Sequence, residues 1–244
     1  MTWETRRDHG RDWRRPRSTA LTSLTRQAAA ASTADVPYPL AKRVFDRVVA
    51  TVLLLLVAPL LLVAFALVAL DMLLVPRDRG PWFYRERRIS RGREFDVLKF
   101  RVLRRSALRE LADEPDSYAR LYEQDPENLT WAGSIIKRIY ADELPQLFSV
   151  LRGEMSLVGP RPWPVPMVEK QVADGHDYRL RIIAGWTGPA QVRKDLGKKG
   201  QSTALDLEYV ELCRTLSGPK LLRYDLGILR QSIRTMLRGR GLRF

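Results

Sequence analysis

The run from Val48 to Leu70, VVATVLLLLVAPLLLVAFALVAL, holds 23 residues without a charge. As an α-helix it would extend about 35 Å at 1.5 Å per residue, enough for a hydrocarbon core of about 30 Å. A cleaved secretory signal fits poorly, because the run starts deep in the chain, is too long and lacks a small-residue cleavage pattern after it. Membrane association is therefore the first constraint on the fold. A spanning helix concentrates Lys and Arg on its cytoplasmic side. Here Lys42, Arg43 and Arg47 precede the run, and Arg77, Arg79, Arg85, Arg87 and Arg88 follow it. Pro59, at its middle, cannot donate to the carbonyl of Leu55 and clashes with the preceding turn. A helix that dips in, bends at Ala58-Pro59 and returns to the same face satisfies both observations. The competing reading is an ordinary spanning helix with a tolerated proline kink.

Charge narrows the partners. The chain of 244 residues carries 42 Lys+Arg against 28 Asp+Glu, a net charge of +14, which points to an anionic partner: nucleic acid, phosphorylated small molecules or an anionic membrane. One cysteine, Cys213, excludes an internal disulfide framework, and two histidines, His9 and His176, disfavour His-rich zinc or Ser-His-Asp chemistry. A nucleophile or general base is then expected to be a carboxylate. The region 1–40, with seven arginines and no apolar periodicity, reads as a disordered basic tail, solvated or drawn to anionic lipids. A re-entrant membrane helix is expected over 41–76 and a cytoplasmic, membrane-associated catalytic domain over 77–244.

The spacing beyond Pro76 predicts a hairpin around Ser90-Arg91-Gly92-Arg93, then helical structure over Ala107–Glu123 divided at Pro115. Leu144, Leu147, Phe148 and Leu151 recur at i, i+3, i+4 and i+7, so a helix should start near Ala141-Asp142 and stop at Gly153. Residues 156–166 hold four prolines and read as an extended loop. Near the C-terminus Leu222, Leu226, Leu229, Ile233 and Leu237 share a face, with arginines elsewhere. That is either an interfacial amphipathic helix or a core-packing helix with a solvated basic side. The expected class is α+β, mainly helical, with a β-hairpin.

The adjacent acids Asp142-Glu143 fall at a predicted helix start, where ordinary capping is the common explanation. Their surroundings change the odds. Lys137 and Arg138 precede them, Gly159-Pro160-Arg161-Pro162 follows their helix, and Lys99 and Arg101 add two cations. Arginine between two prolines has a restrained backbone suited to aiming a guanidinium at phosphate. Carboxylate, divalent metal and converging cations are the ingredients of phosphoryl transfer. An aspartate can itself be the nucleophile, and magnesium often takes one or two carboxylates plus substrate phosphates.

The segment DELPQLFSVLRGEMSLVGPRP, Asp142 to Pro162, closely resembles the signature of bacterial sugar transferases, the monotopic polyprenyl-phosphate phosphoglycosyl transferases. KRVFD before the apolar run, EFDVLKFRVL from Glu94, TGPAQV from Thr187 and LDLEYV from Leu205 resemble the family in the same order. The resemblance implies a nucleoside-diphosphate-sugar donor, usually UDP-linked, a polyprenyl phosphate acceptor, usually undecaprenyl phosphate, and a magnesium requirement. It implies attack by Asp142 on the sugar-bearing phosphate to give a phosphosugar-aspartate, which polyprenyl phosphate then attacks. Glu143 matches the metal-binding carboxylate, and Arg161 the loop arginine near phosphate or nucleotide. Lys99, Arg101, Lys137 and Gln191 are carried as further phosphate- or nucleotide-binding candidates. The implied fold is a re-entrant helix supporting a small helical domain on the cytoplasmic face of a bacterial inner membrane, with anionic lipids as partners and no nucleic acid. Departures are Ala58-Pro59 for the usual Ser-Pro, Lys137 for arginine, Tyr140-Ala141 for Ser-Leu, and Ala184-Gly185-Trp186 in the usual Pro-Gly-Ile-Thr-Gly-Trp segment. The alternatives are a catalytically inactive member of the family and a basic membrane-anchored nucleic-acid-binding protein.

Overall fold

A computed structural model describes residues 35–114, 119–193 and 201–237; most of the basic tail expected over 1–40 lies outside them. In chain order the elements are α1 (Leu40–Leu74), β1 (Phe83–Ser90), β2 (Arg93–Phe100), α2 (Arg105–Asp113), α3 (Ala119–Tyr122), α4 (Trp131–Arg138), α5 (Leu147–Arg152), β3 (Ser156–Val158), α6 (Val165–Ala173), β4 (Gly185–Thr187), α7 (Pro189–Val192), α8 (Gln201–Thr215) and α9 (Gly218–Leu237). Short 3₁₀ turns interrupt the series, including Pro76–Asp78 and Ala141–Gln146. The fold is α+β and mostly helical, and the sheets are small.

The apolar run lies within α1, a continuous helix of 35 residues that carries Pro59 inside it. It starts after Pro39 and ends where the backbone N–H of Val75 reaches the carbonyl of Asp71 and Pro76 opens a 3₁₀ turn. It is long and apolar enough to cross a membrane, and few of its apolar side chains are buried in the protein. Both ends nevertheless anchor to the same domain. At the start, Lys42 and Asp46 are buried; Lys42 pairs with Asp225 of α9, and Asp46 accepts from Tyr38 at 2.7 Å and from Ser156 at 2.6 Å. At the finish, Asp71 is buried in the field of Arg101. No residue from 51 to 63 is fully buried, and Leu55, Leu56 and Leu62, which flank Pro59, are about 70% exposed at 71%, 70% and 69%.

Two apolar cores use the two halves of this helix. Phe45, Val49, Ala50, Leu53 and Leu54 pack with Leu147, Val150, Leu157, Tyr209, Leu221 and Ile228, while Ala64 and Val68 pack with Phe100, Val102, Ile136, Ala141 and Leu144. Val57 and Trp186 touch both.

The hairpin forms as expected. β1 and β2 pair antiparallel from Phe83↔Phe100 to Ser90↔Arg93, and Arg91 and Gly92 turn the chain with φ of 48° and 69°. Positive φ at both central residues matches the right-handed twist of the strands. Two expectations are corrected. Residues 156–166 are not one extended loop, because β3 pairs parallel with β4 and Pro166 enters α6, where a first-turn proline loses no helical hydrogen bond. The acid pair is not on an α-helix either: Tyr140 adopts a left-handed conformation (φ 57°), and Ala141–Gln146 follows as a 3₁₀ turn before α5. Gly153, at φ 77°, does end α5.

α9 buries one side in the domain and leaves apolar residues exposed on another. Leu221, Asp225 and Ile228 are buried against the domain, while Leu226 and Ile233, seven residues apart, stay 52% and 55% exposed beside Arg223, Arg230 and Arg234.

Candidate active site

The 3₁₀ turn carrying the acids sits on α1, its Ala141 and Leu144 in one core with Ala64 and Val68. In a 3₁₀ turn successive side chains diverge by about 120°, so Asp142 and Glu143 cannot face the same way. β2 passes alongside and supplies Lys99, which is 6% exposed.

Arg161 reaches the turn from the Gly-Pro-Arg-Pro loop, whose backbone is held from several sides. The N–H of Gly159 donates to Thr187 (2.9 Å), that of Gly185 donates to the Pro160 carbonyl (2.8 Å), and that of Ile89 donates to Trp163 (3.0 Å). Arg88 donates to the Pro162 carbonyl at 3.2 Å and Arg179 to that of Arg161. Arg179 is itself fixed by Asp206 (2.6 Å) and stacks over Trp163, 4.1 Å from the ring centroid. The crossing of this loop with β4 requires glycine: a Cβ on Gly185 would lie 2.1 Å from the Gly159 nitrogen.

Held this way, Arg161 donates to Glu143 Oε1 at 2.7 Å, and Lys99 Nζ lies 3.5 Å from the same oxygen. Burial would raise the Glu143 pKa, but the Arg161 guanidinium and the Lys99 ammonium outweigh it and hold the acid well below the usual carboxylate range. Asp142 goes the other way. Burial and then the neighbouring Glu143 charge push it up to about 7, with Lys99 opposing. Lys99 is raised, because Glu143, Glu123 and Glu86 together overcome its burial. Two neighbouring carboxylates thus have opposed environments, which is how an active site separates their roles.

Not every cation expected here arrives. Lys99 and Arg101 would share a face on a continuous strand, but β2 ends at Phe100. Arg101 turns into the protein, donating to the carbonyls of Pro81 (2.9 Å) and Leu103 (3.0 Å) near Asp71 and Asp78; it is a structural residue under the end of α1. Lys137 is engaged by Glu123, through its backbone carbonyl and its carboxylate at 3.3 Å. Gln191 is buried and donates to the Trp186 carbonyl at 3.2 Å. Residues that spacing did not flag are Glu86, Arg88, Glu123 and Arg179. Only the position of Arg88, one strand register from the loop, carried any signal, and that signal needed the pairing to be read.

Magnesium prefers hard oxygen ligands and often keeps water and substrate phosphates among them. The described residues hold no group of three or more metal-ligating side chains. They do hold Glu143, a hard oxygen donor kept ionised by the two cations at its Oε1. The donor set therefore fits a metal shared with substrate phosphates and not an all-protein cage.

Comparison with known proteins decides the family. The model for bacterial sugar transferases matches residues 37–239. The chain belongs to the bacterial sugar transferase family. Over 185 residues it is 37% identical to the exopolysaccharide production protein ExoY of Rhizobium meliloti (strain 1021), covering 70% of this chain and 77% of that one. It is 37% identical over 188 residues to the UDP-glucose:undecaprenyl-phosphate glucose-1-phosphate transferase of Caulobacter vibrioides (strain ATCC 19089 / CIP 103742 / CB 15), covering 72% and 64%. The undecaprenyl-phosphate glucose phosphotransferase of Komagataeibacter xylinus is also 37% identical, over 187 residues, with 70% of this chain matched to 32% of that protein. As a member of this family the chain is a transferase.

Proposed function

We propose that the chain transfers a sugar-1-phosphate from a nucleoside-diphosphate-sugar, UDP-linked, to polyprenyl phosphate at the cytoplasmic face of a bacterial inner membrane. The products are polyprenyl-diphosphate-sugar and the nucleoside monophosphate, the first membrane step of assembling an exopolysaccharide, O-antigen or glycoprotein glycan. The observation that carries this reading is the pairing of a buried, charge-poor Asp142 with a Glu143 clamped by Arg161 and Lys99. Holding an unpaired acid in that environment is costly, and a catalytically inactive scaffold has no use for it.

In the first step an oxygen of ionised Asp142 attacks the sugar-bearing phosphorus. The bond to the bridging oxygen breaks and its electron pair leaves with the nucleoside monophosphate. In the second, an oxygen of polyprenyl phosphate attacks the same phosphorus and the Asp142 carboxylate departs. Arg161 and Lys99 hold the diphosphate oxygens and offset the charge that builds on the leaving group. Magnesium, bound by Glu143 and the substrate, would neutralise diphosphate charge. Lys99, which opposes the push of burial and of the Glu143 charge, lets Asp142 lose its proton to solvent near pH 7 without a separate base.

Both ends of α1 anchored to one domain, an exposed middle at Pro59, and cations on both flanks support a same-face, re-entrant placement. The exposed apolar residues Ile135, Ile139 and Phe148 on the elements beside the acid pair, together with those of α9, support a domain lying on the lipid surface.

The test is to add UDP-sugars without acceptor and examine the protein by mass spectrometry. A phosphosugar adduct on Asp142, discharged by undecaprenyl phosphate, is expected. An adduct on another residue would overturn the assignment.

A further inference from the structure

The end of α1, the 3₁₀ turn Pro76–Asp78 and the start of α2 enclose a surface cleft of about 650 Å³, lined by Arg77, Asp78, Arg104, Arg105, Arg109 and Glu127. None of these residues belongs to the group around Asp142. Four guanidinium groups face two carboxylates, and one carboxylate, Asp78, is buried and matched to Arg104 at 3.5 Å.

The cleft is built and not merely basic. Arg104 is fixed by that pair and by its Nε donating to the Leu129 carbonyl at 3.0 Å. Arg105 and Arg109 are four apart on α2 and project from one face. α2 begins with no side-chain cap, so the backbone N–H groups of its first turn add positive potential, and the Ser106 hydroxyl adds a donor. Planar guanidinium forks match the paired oxygens of a phosphate.

Its position suggests the source of the anion. Leu73 and Leu74, 67% and 63% exposed, immediately precede the cleft, and Trp82, 42% exposed, follows it. That is the order of an apolar segment giving way to an interface, with an amphipathic aromatic at the boundary. We propose that this cleft binds a phosphate-bearing anion, supplied by the headgroup of an anionic phospholipid in the membrane that α1 enters; this rests on the membrane placement of α1. The bound headgroup holds the exit of α1 at a fixed depth, on the opposite end of the helix from the Lys42–Asp225 anchor.

The test is phenylglyoxal footprinting of the full chain in a nonionic detergent, read by peptide mass spectrometry. The probes are dihexanoyl-phosphatidylglycerol, dihexanoyl-phosphatidylcholine and inorganic phosphate. Phosphatidylglycerol should slow modification of Arg77 and Arg109 roughly fivefold or more, as expected for basic residues near an anionic surface. Arg93 and Arg214, exposed elsewhere, should keep their rates, and the zwitterionic lipid should protect weakly. Arg109→Gln should reduce the protection of Arg77 severalfold. Equal protection by inorganic phosphate would keep the anion site and overturn the lipid as its source. No protection, or equal slowing at Arg93 and Arg214, would overturn the site. Flotation with neutral phosphatidylcholine vesicles reads the membrane placement separately: a chain that floats but shows no protection refutes the cleft alone, and a chain that does not float refutes the placement.

Discussion

At the scale of single residues, Asp142, the proposed nucleophile, is also the costly one. Its carboxyl titrates at about 7 in the folded chain against 3.8 as a free side chain. The folded state therefore keeps the proton where the unfolded state has lost it, and stability falls as pH rises from about 4 to about 7. The full penalty, at most about 4 kcal/mol, is present above pH 7. Asp142→Asn should accordingly abolish turnover while raising thermal stability at pH 8, with the two proteins converging near pH 4; a melting series in detergent across that range measures it. A variant no more stable than the parent at pH 8 would mean the acid is not desolvated. The same titration should shape the kinetics of the parent. Attack needs the ionised form, so kcat/KM should climb about tenfold per pH unit below 7 and level off above it. Lys99 is the nearby cation that opposes the rise. Lys99→Met should move the rising limb to higher pH as well as lower its plateau, and a plateau loss with no displacement would assign Lys99 to substrate binding alone.

At the scale of elements, the site depends on close approaches that side chains would prevent. α4 leads into the 3₁₀ turn, and its N-terminus is capped by Thr130, which accepts from the Gly133 N–H at 2.8 Å. A Cβ on Gly133 would lie 2.2 Å from the Val102 carbonyl oxygen, against backbone that cannot swing aside. Gly133→Ala should therefore cost about 2–3 kcal/mol or more, seen as a lower melting temperature. It should also lower turnover, because displacing α4 moves Asp142 relative to Lys99. A variant that melted normally would show that α4 and the strand end can separate freely. The hairpin turn, the Gly153 stop and the amphipathic α9 were legible in the sequence because each is encoded within a few consecutive residues. The 3₁₀ turn was not. Its apolar spacing fits an α-helix equally well, and the left-handed Tyr140 that forces the tighter turn is a non-glycine residue that spacing does not mark.

At the scale of the whole molecule, α1 is part of the domain's two cores and not an appended anchor. Single cysteines at Pro37 and Gly80, both exposed, bracket it, and the native Cys213 is buried. In intact spheroplasts a membrane-impermeant maleimide should leave both unlabelled, and both should react once the membrane is opened. Labelling of one and not the other in intact cells would put the two ends of α1 on opposite faces.

The division between sequence and tertiary structure follows the reach of each signal. An uncharged run with a central proline and cations on both sides, a turn that contains glycine, and the ordered motifs from Lys42 to Val210 are all local patterns, so the sequence alone determined the long apolar helix, the hairpin and the acid pair with its loop arginine. Which cations meet that pair was decided only by packing. Lys99 arrives and Arg101 does not because a strand ends between them. Lys137 turns to Glu123, and Arg161 is aimed by Arg88 and Arg179 through contacts to the loop backbone. The parallel pairing of β3 with β4 joins segments separated by all of α6. Periodicity reports which face of an element is apolar; it does not report which distant element covers that face, and the charges around Asp142 are set by those distant elements.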